Sequence, residues 1–168
     1  MGIMKAAAVR GLIPAGNKVN ELRDNLTRLM AEMGVVLEER FGQEGLDAIS
    51  EIFRRLGEED AKNMRERLGL GDTLSDAVDA WKVVGHVMGA KMEAQEISPD
   101  RVETTHPFCP QYEAFKDVGK LYCESVCLPY VRAIGEGIGK GVRMEVVRPA
   151  DEESTCIKAL VFTREEAD

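Results

Sequence analysis

The stretch EAQEISPDRVETTH, residues 93–106, decides the fold of this chain. Val102, Thr104 and His106 alternate with Arg101, Glu103 and Thr105, while Ser98, Pro99 and Asp100 are turn formers. The run therefore reads as a β-hairpin, residues 93–97 against 101–106. Everything upstream keeps a different period. From Val19, the apolar residues Leu22, Leu26, Leu29, Met30, Met33, Val36, Leu37 and Phe41 recur three and four apart, with Asn17 as cap and Gly42 as stop, which predicts an amphipathic helix. A second set, Leu46, Ile49, Ile52, Phe53 and Leu56, continues the pattern. Gly57 followed by Glu58, Glu59 and Asp60 predicts a break and a new start before Met64 and Leu68, as two short helices or one kinked one. Gly69 and Gly71 mark a turn. Thr73 then caps a third stripe, Leu74, Ala77, Val78, Trp81, Val84, Val87, Met88 and Met92, read as a central helix.

Downstream of the hairpin a further helix is predicted over about residues 112–130. Gly135, Gly137, Gly139 and Gly141 are read as loosening the chain after it. Two strand-like segments follow, 142–148 and 156–163, which can pair antiparallel across the acidic loop Asp151, Glu152 and Glu153. The expected class is α+β, an N-terminal helical layer packed on a small antiparallel sheet. Residues 1–168 are read as a single domain, with 1–92 mainly helical and 93–163 supplying hairpin, helix and strand pair.

Composition narrows the function classes. A chain of 168 residues, 44% of them apolar, can bury one ordinary core. Its 30 acidic and 22 basic residues give a formal net charge of −8, which opposes binding to nucleic acid or to an anionic membrane surface. No apolar run reaches the roughly 18 residues of a membrane span. The N-terminal run from Met1 to Ala15 has too interrupted an apolar block for a secretory signal and is read as a frayed leader into the first helix. A cytoplasmic, reducing location follows, and there free or metal-bound thiols are favoured over disulfides. The glycine series from Gly135 to Gly141 lacks the phosphate-loop arrangement and carries Glu136, which would repel phosphate.

The chemistry lies in the cysteines. Cys109, Cys123, Cys127 and Cys156 all fall after residue 108, spaced C-x13-C-x3-C-x28-C. On the expected helix, Cys123 and Cys127 would share a face at a separation of roughly 5 to 6 Å, too wide for a disulfide but suited to one metal ion or cluster. Cys109 and Cys156, arriving from neighbouring elements, would complete four sulfur ligands, a set that favours zinc or an iron–sulfur cluster. Pro129 is expected to kink that helix just after Cys127 and free carbonyls beside the thiols. The alternative is packing, because free cysteine is among the most often buried residues.

The run His106-Pro107-Phe108-Cys109-Pro110-Gln111-Tyr112, then Lys116 to Gly119, Cys123, Cys127 and a strand pair ending at Cys156, resembles the L-2-amino-thiazoline-4-carboxylic acid hydrolase-like family. More remotely it resembles the small-ligand-sensing domain named after 4-vinyl reductase. The likeness covers about residues 74–163, and Glu153-Ser154-Thr155 stands where the family has Gly-Asp. It implies a helical layer, an antiparallel sheet, and a cysteine-lined site or ligand cavity between them. It also implies an alternative function, a cysteine-dependent hydrolase of a small nitrogen and sulfur heterocycle, with Cys109 as nucleophile and His106 as its base or partner. A small-ligand sensor without metal is the third expectation. His86 is read as a partly buried, satisfied imidazole. Arg143, Arg148 and Lys158 are candidates to hold a substrate carboxylate. The partners expected are a small molecule or a redox protein, and the long helices allow a homodimer through an exposed apolar face.

Overall fold

Three- and four-residue apolar spacing builds the first part of the chain, and the computed structural model, which describes residues 9–163, gives it as α1 (Ala15–Phe41), α2 (Gln43–Leu68) and α3 (Leu74–Met88). Residues 1–8, most of the stretch read as a leader, lie outside the described residues. The period then changes to two. The hairpin strands β1 (Lys91–Ser98) and β2 (Arg101–Phe108) are followed by α4 (Pro110–Asp117), α5 (Cys127–Ile138), β3 (Val142–Arg148) and β4 (Ile157–Phe162). The strands form one antiparallel sheet in the order β1-β2-β4-β3, so the molecule is α+β, as its patterning predicts.

Helix boundaries depart from expectation where glycine serves contact instead of flexibility. α2 runs unbroken through Gly57. A Cβ there would lie 2.4 Å from the Tyr130 carbonyl oxygen and 2.9 Å from the Ala133 Cβ, so Gly57 lets α2 and α5 approach closely and breaks nothing. Gly135 and Gly137 likewise lie inside α5, and a Cβ on Gly135 would come within 2.7 Å of Leu160 Cδ2. They fasten α5 to its neighbours where the sequence suggested a loosened exit. Asn17 sits within the first turn of α1, whose N-cap is Pro14, while Gly42 closes the helix as expected. α3 starts on a capping box, with Asp76 N–H donating to Thr73 Oγ1 at 3.1 Å and Thr73 N–H donating to Asp76 Oδ2 at 3.2 Å. It ends at Gly89, so Met92 belongs to β1 and not to the helix.

Two apolar clusters fill the interior. Trp81, Ile134, Ile138, Met144 and Leu160 join α3 and α5 to the inward face of the sheet, and the Trp81 indole N–H donates to the Val131 carbonyl at 2.7 Å. Ile49, Phe53, Phe115, Tyr122 and Val126 form the second, among α2, α4 and the turn before α5. On β3, Val142 and Met144 point in while Arg143 and Glu145 point out. The outward face carries the Arg101 pairs with Glu103 at 3.0 Å and with Glu145 at 2.6 Å.

Candidate functional site

The long helix expected over residues 112–130 is two helices joined by a turn. α4 ends at Asp117, and Gly119 turns the chain with a φ of +76°. Tyr122 then leaves helical geometry to pack on α1. Its ring fits against Gly34, where a Cβ would come within 2.7 Å, meets Phe115 edge-on at 5.9 Å, and sends its hydroxyl to Glu38 Oε2 at 3.0 Å. That anchoring outcompetes helix continuation. Cys123 consequently lies in the turn, and Cys127 is the first residue of α5. Pro129 falls in the first turn of α5, where its missing N–H would have had no intrahelical partner, so no kink forms there.

Topology gathers the thiols that the sequence scatters. Cys109 closes β2 and caps α4, and its thiol donates to Gln111 Oε1 at 3.5 Å. Cys156 stands immediately before β4 and accepts from Lys158 Nζ at 3.5 Å. All four cysteines are free thiols, Cys123 buried and the others partly so. Burial, and then the nearness of Cys156 and Cys109, push Cys123 up to about 12. Cys127 is pushed well above the usual thiol value by burial and then by Cys123 and Cys109. Burial also raises Cys109, against the lowering influence of the Tyr112 backbone N–H and of Lys158.

Beside them lies a cavity of about 90 Å³, walled by Trp81, Met88 and Met92 and reached by Cys109, Cys127, His106, Gln111 and Lys158. Lys158, read from the sequence as a candidate to hold a substrate carboxylate, is the charged residue of this lining. It is 6% exposed, on the central strand β4, paired with Thr104 of β2 and Val146 of β3. The signal was present, since Lys158 shares strand parity with Leu160 and therefore points inward. Its ammonium sits 5.8 Å from the Trp81 ring centroid, and among the described residues no carboxylate pairs with it. Arg143 and Arg148 stay exposed.

His106 lines the same cavity as Cys109, with Nδ1 buried and without a hydrogen-bond partner. Burial, and then the charge of Lys158, lower its pKa to about 3, so the ring is neutral at physiological pH. His86 is exposed, not partly buried as expected. Among the described residues no three cysteine, histidine or acidic side chains are gathered tightly enough to hold a metal ion. The thiols share one neighbourhood without forming a closed ligand set. No family model matches this chain, and no curated protein matches it either.

Proposed function

We propose that Cys109, Cys123, Cys127 and Cys156 hold an iron–sulfur cluster or a zinc ion, and that the protein serves a redox, sensing or cofactor-handling role through it. The observation that carries this reading is the buried Lys158, which lies against Cys156 and has no carboxylate among the described residues. An unpaired buried ammonium is costly, whereas four thiolates around zinc, or around a cluster, leave net negative charge for it to balance. The raised thiols agree with this. Protonated and inert on their own, they become anionic ligands when a metal displaces their protons.

The cysteine-hydrolase alternative draws less support. A nucleophile needs thiolate character, and burial drives Cys109 away from it. A general base works best with a pKa near the operating pH, and His106 titrates far below. Metal-free ligand binding is favoured by one observation, the unpartnered His106 Nδ1 in a mostly apolar cavity. The deciding experiment is an absorption spectrum with iron, sulfide and zinc analysis on protein purified without oxygen. Broad absorbance near about 400 nm with matched iron and sulfide, or stoichiometric zinc, is expected. Loss of the bound metal on changing any one of the four cysteines to serine is expected with it. A metal-free protein that takes up neither iron and sulfide nor zinc would overturn the proposal and leave the cavity as a ligand site.

A further inference from the structure

The outward side of α1 is apolar where a surface helix should be polar. Val19, Leu22, Leu26, Leu29, Met33 and Val36 recur in alternating steps of three and four, the a and d positions of a heptad. Leu22 is 68% exposed and Leu29 61%, with Val19, Leu26 and Val36 also exposed and Met33 partly buried. The helix meets its own core through Thr27, Ala31 and Gly34, with Met30, Met33, Val35 and Leu37 packed at the edge of that contact. Apart from Phe41, its last residue, the exposed large apolar residues of α1 lie at a and d, the narrow seam of a coiled coil.

We infer that a second copy of this chain docks along α1 in antiparallel orientation, giving a two-fold symmetric dimer. The flanking charges choose the orientation. In this heptad Lys18, Asn25, Glu32 and Glu39 occupy g, and Arg23 occupies e. A parallel pairing would bring Lys18 against Arg23 of the other copy, setting like charges together, and Arg23 is already committed to the carbonyls of Val87 and His86 at 2.6 and 2.9 Å. An antiparallel pairing stacks Val19 on Val36, Leu22 on Met33 and Leu26 on Leu29 across the interface. It also sets Lys18 beside Glu39 at both ends. Lys18 and Glu39 are exposed and join no ion pair among the described residues. The seam spans about 26 Å at 1.5 Å per residue, and two-fold symmetry makes every contact occur twice.

Sedimentation of the full chain over a micromolar concentration series tests this. Twice the chain mass is expected, with Leu29→Glu giving the monomer and an unchanged far-ultraviolet spectrum. Leu22→Lys is the second seam variant should Leu29→Glu fold poorly. Lys18→Glu and Glu39→Lys should each weaken the dimer by about tenfold, because the pair is made twice, and the double variant should restore it. A native chain that stays monomeric, or a dimer indifferent to both seam variants, would overturn the inference. A double variant no tighter than either single one would overturn the antiparallel arrangement.

Discussion

Acidification should test the burial of His106 before it tests any other group. The unfolded chain takes up a proton on this ring below about pH 6.5, while the folded ring resists until about 3. The unfolded state therefore binds more protons through that window, and the contribution of His106 is complete above pH 6.5 and lost as pH falls toward 3. Between about pH 6.5 and 5, above the range where paired carboxylates protonate, the melting temperature should fall by about 3 °C per unit. His106→Phe should flatten that slope, and an unchanged slope would show the ring to be hydrated. Lys158 makes a complementary prediction. In metal-free protein, Lys158→Met removes an uncompensated buried charge and should raise the melting temperature; in metal-loaded protein it removes the counter-charge and should lower it. Calorimetry on both forms reads the crossing. The alternation on β4 made the inward direction of Lys158 legible, but its unpaired state depends on what Trp81, Thr104 and Val146 bring to it from elsewhere.

Elements were legible wherever the period was long and the ends were chemically marked. α3 follows from its stripe and from Thr73, and Thr73→Ala should cost about 1 kcal/mol by removing the acceptor of the Asp76 N–H. Periodicity cannot tell a glycine that ends a helix from one that admits a neighbour, which is why Gly57 and Gly135 were misjudged. Gly57→Ala gains local helix propensity, yet its methyl would meet the Tyr130 carbonyl oxygen, and steric conflict should win. A net loss of about 1 to 3 kcal/mol in urea unfolding is expected; a gain would mean that α2 and α5 separate easily. The division of residues 112–130 into α4 and α5 was illegible for a related reason. Tyr122 answers to Gly34 and Glu38 on α1, far away in sequence, and no local pattern announces that attachment.

For the molecule as a whole, class and strand pairs could be read from residue patterns, while the arrangement of the strands could not. Each hairpin is local, but the insertion of β4 between β2 and β3 is a long-range choice, and it is what carries Cys156 and Lys158 toward Cys109. If the cysteines ligate metal, the metal joins segments some 47 residues apart at their extremes, from Cys109 to Cys156, and its removal by a chelator should lower the melting temperature of the whole domain in one transition. Only a local change, with the main transition unmoved, would separate the cysteines from folding. The central place of β4 bears finally on how the protein is made. Synthesis runs from the N-terminus, and the helices can form as they emerge from the ribosome. The sheet, however, stays two disconnected pieces, one hairpin and one lone strand, until residues 157–162 have cleared the exit tunnel. Through that interval Trp81 and the thiols have no floor beneath them. A nascent chain paused before residue 156 should therefore be open to proteases and to chaperones that bind apolar surface, and it should close in a single step once β4 arrives.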